Sequence, residues 1–448
     1  MLHLESKAIT TINPKILFII FLIVVSFMLI DVVVGSLADE YKDFTTSPVG
    51  ISLFVAVSCV LLAGTYVILR VTQNRIKAQR VRAYENGIAK SVWIIFYLMV
   101  GIIGFVILHL LSSSEYFTAM LSIAPTISYG FAVFVLSLLA YRLLSWFVRS
   151  RNLVVLMYGL ASISASIYVG LVIYIFYNQV FLYQPSETTP ESGGIIKDLK
   201  TGLEEFLIIA LPQYLTAPIF LFFWGGTISI LYANFRRIGK KRFWILVTTP
   251  IIFFIVTLIF TYPVFQEVLP EEGINRIIFN FSFYITTFSQ VASIALFATA
   301  FAVMGRAVPN RQVSDYMHIT CFGFALFSIA IIATISAAGY PPFGLPSVSL
   351  VGPFSFLLFI GLNHSAIATA EDSNLRRRIL VSARQQLRFL DSIGTAEWER
   401  ELEKKVLEVT KTNAENLKQE SGIEPSLSMD EAKQYVFEVL DELKNGRR

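Results

Sequence analysis

Charge is what this sequence has least of. Only 15% of its 448 residues are Asp, Glu, Lys or Arg, while 55% are hydrophobic and the mean hydropathy is +0.64. Soluble chains carry about 25% charged residues. A chain this long with so few charges cannot clothe a water-facing surface, so most of its surface faces lipid. Cysteine is nearly absent too. Cys59 and Cys321 both lie inside apolar runs, which excludes a disulfide framework and leaves no cysteine-based metal site. Histidine is limited to His3, His109, His318 and His364, so the last 84 residues contain none and cannot act as a phospho-accepting histidine-kinase domain. The chain lacks a Gly-x-x-x-x-Gly-Lys-Ser/Thr phosphate loop, a His-Glu-x-x-His zinc helix and a Gly-x-Ser-x-Gly elbow. It has no span with arginine at every third position and no Thr-Val-Gly-Tyr-Gly filter. These absences argue against an enzyme, a voltage sensor and a potassium-type channel. No cofactor, metal or nucleic-acid partner is expected.

What is present in quantity is long apolar runs. A bilayer core about 30 Å thick needs about 20 apolar residues in a helix. Ten runs meet that length: 15–36, 48–69, 92–111, 121–141, 153–177, 207–233, 243–265, 277–304, 318–338 and 348–370. Eighteen lysines and arginines fall in the N-terminal segment and in alternate connections, clustered at Arg70–Lys90, Arg142–Arg151, Arg236–Arg242 and Arg306–Arg311. The other connections hold four, Lys42, Lys197, Lys200 and Arg276, and twelve acids. Cytoplasmic loops are the ones enriched in Lys and Arg, so both termini are placed in the cytoplasm of a plasma-membrane protein. Ser36-Leu37-Ala38 has the small-x-small form of a signal-peptidase site, but the apolar run before it is longer than a signal-peptide core. The expected fold is all-α, a ten-span transmembrane bundle over residues 1–370 with a small helical cytoplasmic tail over 371–448.

Three amphipathic helices are expected in the tail. The first, 372–391, continues the tenth span and ends at Gly394. The second, 396–419, is N-capped by Thr395, and the third follows the capping-box pattern Ser428-Met429-Asp430-Glu431. The tail could close on itself, form a homodimer or hold a cytoplasmic protein partner. Arg376, Arg377 and Arg378 lie where the chain leaves the bilayer and would contact inner-leaflet headgroups. The block from Gly339, with Tyr340-Pro341-Pro342-Phe343-Gly344, a final span, Glu371-Asp372-Ser373-Asn374-Leu375-Arg376-Arg377-Arg378 and Phe389-Leu390-Asp391-Ser392-Ile393-Gly394-Thr395, resembles uncharacterised archaeal multi-spanning membrane proteins. The resemblance implies a membrane bundle with a short helical tail, the form of a signalling input module, and brings no catalytic residue.

Ionisable residues within a bilayer are functional candidates because their burial is costly. Asp31 and His109 are expected at similar depth on the external side, with Gln213 and Tyr214 of the sixth span level with them. As neighbours, these four would line an external ligand-binding pocket, and an Asp–His pair there would sense pH or hold a cation. Pro218, Gly225 and Gly226 in the sixth span, and Pro250 in the seventh, are positions where a helix could break and expose backbone along a solute pathway. The residues 339–346 read as a tight external turn. Three function classes fit: a sensor that couples an external or intramembrane site to the tail, a secondary transporter, and a scaffold that recruits a partner through the tail.

Overall fold

The computed structural model describes residues 14–37, 47–77, 83–113, 118–181, 211–233, 235–261, 292–337, 343–371 and 388–421. All regular structure in them is helical: α1 Pro14–Leu37, α2 Pro48–Lys77, α3 Ala83–Ser113, α4 Thr118–Ser150, α5 Leu153–Phe181, α6 Leu211–Ala233, α7 Phe235–Ile238, α8 Lys240–Thr261, α9 Ala292–Ala307, α10 Arg311–Ala337, α11 Leu345–Ser349, α12 Val351–Glu371 and α13 Arg388–Ser421. Among the described residues, eight helices are long and apolar enough to cross a membrane: α1 to α6, α10 and α12. The expected seventh and eighth spans fall partly outside the described residues, and α8 and α9 stand at their places.

The bundle is built around α12. Every residue from Val351 to Ala370 is buried, and α12 packs against α10, α4, α13, α3, α2 and α11. α4 and α5 form a hairpin, α5 carries α6, and α1 lies against α2 and α10. Lipophilicity and burial oppose each other at the extremes. α1 is the most apolar span and only 33% of it is buried, whereas α10 and α12 are the least apolar and the most buried. A helix with lipid on most sides must be apolar all round. One enclosed by protein can carry Ser, Thr, Asn and His, which then find partners on its neighbours.

The local chemistry that shapes the bundle is ordinary. Ser47 caps α2 through a 3.1 Å bond from the Gly50 amide to its hydroxyl, with Pro48 at the first helical position. Asn152 and Asn310 accept from the first amides of α5 and α10. The tight α4–α5 turn puts Arg151 in the left-handed region at φ 52°. α10 and α12 cross almost backbone to backbone, because a Cβ at Gly323 would lie 2.5 Å from the Leu358 amide nitrogen and one at Gly361 would collide with Thr320.

Three expectations need correction. α6 and α8 run unbroken through Pro218, Gly225, Gly226 and Pro250. The glycines serve contact: a Cβ at Gly226 would sit 2.9 Å from the Tyr158 ring, and one at Gly225 would sit 3.2 Å from the Met157 sulfur. One turn before Pro250, the Val247 carbonyl accepts from Trp224 Nε1 of α6 at 3.1 Å, which ties the two helices together. Residues 343–346, the described part of the expected external turn, are buried and lead into α11, which runs on to Ser349. Finally, α13 does not stop at Gly394 or start at Thr395; one 34-residue helix passes through both. Gly394 is the contact point with α12, where a Cβ would lie 2.6 Å from Thr369 Cγ2. A glycine that reads as a helix end is a close-approach site.

Candidate functional site

Asp31 is fully buried, and its hydrogen bonds go to the start of α11. One carboxylate oxygen accepts from the Gly344 amide at 2.9 Å, and the other from the Ser347 hydroxyl at 2.6 Å and the Ser347 amide at 3.2 Å. Asp31 thus ties α1 to the start of α11, satisfying amides that a short helix leaves open. His109 is half-buried on α3 with its ring 6.2 Å from that of Phe105. Gln213 and Tyr214 are on α6, but their side chains are outside the described set, as are Arg376, Arg377, Arg378 and the third expected tail helix. The depth argument brought Asp31 and His109 to one level without knowing which helices are neighbours. α1 packs on α2 and α10, whereas α3 packs on α2, α4 and α12.

Two polar constellations emerge instead, both at the end of the bundle that carries α13. The first is enclosed in the core. Glu85, in the first turn of α3, is fully buried. Asn363 of α12 donates to Glu85 Oε1 at 2.8 Å, and the adjacent His364 places Nε2 at 3.6 Å from Glu85 Oε2. The imidazole stacks on Tyr316 of α10, ring centroids 5.2 Å apart and planes inclined by 24°. The Tyr316 hydroxyl donates to the Arg75 carbonyl at 3.2 Å, and the Arg75 guanidinium pairs with Asp315 at 3.3 Å, where both side chains are partly exposed. Four helices, α2, α3, α10 and α12, therefore meet on one polar chain that runs from water into the core.

The second constellation fixes α13. Its first turns bury Phe389, Leu390, Ile393 and Ala396, with Glu397 fully buried in the same stripe. Glu397 Oε2 accepts from Trp146 Nε1 at 2.8 Å and pairs with Arg142 at 3.4 Å. Arg149 pairs with Glu403 at 2.7 Å, and Asn152 donates to Ser392 at 2.6 Å. Arg142, Trp146 and Arg149 are spaced i, i+4, i+7 and so share one face of α4. Tyr158 of α5 adds an aromatic contact, its ring 5.7 Å from those of both Phe223 and Phe389 and 5.6 Å from that of Phe301.

Sequence reasoning missed Glu85, which reads as a loop acid, and Glu397, which reads as part of a solvated helix face. A signal for Glu397 was present: it falls four residues after Ile393 and one after Ala396, within the apolar stripe that starts at Phe389. Farther along α13, Val409 is 58% exposed. Among the described residues, no group of three or more His, Cys, Asp or Glu could hold a metal ion. The chain matches no family model, no curated protein and no solved structure.

Proposed function

We propose that this protein is a membrane sensor, a signal-input module whose bundle conformation is read out by the C-terminal helix. The observation that carries the reading is the seating of α13. A helix that merely tethers a tail would keep its acids in water, yet Glu397 is buried among the spans and paired with Arg142 and Trp146. Buried ion pairs add little net stability, because desolvation offsets their attraction; their attested use is to fix one arrangement against others. The pairing therefore defines one registered position of α13 on α4, α5 and α12. Beyond Glu403, Lys404, Lys405, Glu408, Val409 and Thr412 are exposed among the described residues, a face that α13 offers to a further partner.

In this proposal the chain has ten spans in the plasma membrane with both termini in the cytoplasm. Supporting this, the residues that charge asymmetry assigns to one side are joined in the fold: Arg75 with Asp315, and Arg149 and Asn152 with α13. Hydrogen exchange of residues 389–399 in lipid nanodiscs tests the sensor. Under a panel of stimuli (ionic strength, pH, lipid charge, temperature), protection of this segment should switch between two levels while α4 stays protected. A segment that holds one level under every stimulus up to global unfolding would be a static part of the fold, and scaffolding would replace sensing.

A second reading, secondary transport, is favoured by one observation. The buried Glu85, Asn363 and His364 lie on and against the central helix, which follows the short α11 across a break at Leu350. Discontinuous helices and buried polar groups of this kind line substrate paths in transporters. Water-accessible cysteines introduced along α12 between Phe356 and Ile367 would favour it.

A further inference from the structure

We propose that a file of internal water molecules lies between α2 and the helices α11 and α12, held by Ser58, Thr65, Ser349 and the side-chain oxygen of Asn363. Nothing in it depends on how α13 is read. Buried hydroxyls in this bundle follow one habit. Thr72, Ser162, Thr320, Ser355, Ser365 and Thr369 each donate to a carbonyl three or four residues back in their own helix, the usual outlet for a hydroxyl in a span. Ser128 and Thr227 pair with other helices instead. Ser58, Thr65 and Ser349 do neither. They are fully buried, and their hydroxyl oxygens have no hydrogen-bond partner among the described residues; Asn363 Oδ1 has none either. An unmade hydrogen bond is expensive in an apolar interior, so a hydroxyl turned from its own carbonyl implies another partner.

The four share one seam. On α2, Gly64 meets Val24 of α1, and the Tyr66 ring packs on Trp93 of α3. At about 100° per residue, Thr65 lies between those two directions and so faces the interior, with Ser58 two turns away on the same face. The partners of α2 on the interior side are α11 and α12. Two contacts set the levels. The Phe54 ring meets that of Phe343 just before α11. At the other end, Tyr316 joins the Arg75 carbonyl to the His364 ring. Counted from there at about 1.5 Å per residue, Asn363 lies at the α13 end, Thr65 about 15 Å along, and Ser58 and Ser349 about 20–25 Å along. The four thus mark most of the depth of a bilayer core. Water has the chemistry they need. A hydroxyl gives and accepts a hydrogen bond and the Asn363 oxygen accepts one, while a buried water takes about two to four bonds of both kinds. None of the four carries a charge, and Asp31, the carboxylate at the α11 end, is already engaged by three donors, which makes a cation the poorer fit. Water bridges re-form at little cost, so the file leaves α12 a side on which it can slip against α2 without breaking direct bonds.

The test uses the full-length protein in nanodiscs. In the wild type, solid-state NMR follows transfer of magnetisation from water to the side chains of Ser58 and Thr65. Ser162 and Thr227, hydroxyls equally enclosed but bonded to protein, are the dry references. Transfer to Ser58 and Thr65 should be strong and transfer to the references weak. Stability gives a second readout whose sign decides. Thr65→Val keeps the shape of the side chain and removes the hydroxyl. With water bound there, it strands that water and the Tm should fall; with no ligand, it removes an unsatisfied group and the Tm should rise. Thr65→Ser keeps the hydroxyl and should keep the water signal at position 65. Signals at Ser58 and Thr65 no stronger than the references, or a raised Tm in Thr65→Val, overturn the file. So does a wild-type Tm that rises saturably when sodium or potassium replaces choline, which assigns the seam to a cation. The transfer measurement needs no variant, so it decides even where a substituted chain fails to fold.

Discussion

Asp31 shows what a single buried carboxylate does when surrounded by backbone. Its two oxygens take three hydrogen bonds from Gly344 and Ser347. Asp31→Ala would take this partner from two amides and a hydroxyl inside the protein. The Ser347 hydroxyl can rotate to another acceptor, so the two amides, at about 1–3 kcal/mol each, set a loss of about 2–6 kcal/mol that should appear as a lower Tm in detergent. Asp31→Asn keeps one acceptor oxygen and turns the other position into a donor, which the Ser347 hydroxyl can accept by rotating, though its amide cannot. A smaller loss than for Ala is expected. An Ala variant as stable as Asn would mean that the hydrogen bonds are not what Asp31 contributes. The sequence made Asp31 visible, because an acid in an apolar run stands out. What it could not supply was the partner, which lies 313 residues away at Gly344 in a stretch that reads as a turn.

At the scale of the element, α13 is 34 residues long, about 50 Å at 1.5 Å per residue, and among its described side chains the enclosed ones fall in its first third. The contact that sets its height on the bundle is Gly394 on Thr369. Gly394→Ala should lift the first turns of α13, costing about 1–3 kcal/mol as an overpacked contact, and raise proteolysis within 389–399. Thr369→Ser removes the Cγ2 methyl and keeps the hydroxyl that donates to the Ser365 carbonyl at 2.7 Å. Combined with Gly394→Ala, it should restore protection, a coupling that a double-mutant cycle measures. Equal proteolysis in the single and double variants would place the constraint elsewhere. Helix type was legible here and helix extent was not. Glycine carries the same letter whether it ends a helix or admits a neighbour, and only the packing partner decides between them. The same ambiguity applies to Gly225 and Gly226, where Met157 and Tyr158 occupy the space that a break would have opened.

Across the whole molecule, hydropathy and charge gave the helical class and most of the spans, since both are direct responses to the bilayer. They gave no neighbour relations, and the polar clusters are neighbour relations: Glu85 with His364, Glu397 with Arg142. Sidedness is the expectation to check at this scale. Single cysteines at Lys77, Arg151, Arg311 and Lys405 should react with an impermeant thiol reagent only from the cytoplasmic side, and those at Asp43, Glu115 and Glu191 only from outside, in a chain lacking Cys59 and Cys321. Labelling of either group from the wrong side would undo the topology and with it the placement of α13.

The enclosed position of α12 also bears on how the chain is made. It is the last of the candidate spans to leave the ribosome, yet it belongs at the centre. The earlier spans are threaded into the bilayer before the helix they are shaped to surround exists. Until it arrives, the faces of α10 and α4 that will close on it have only lipid or one another to touch. Final assembly therefore waits for α12, and until then the helices already made lack their hub.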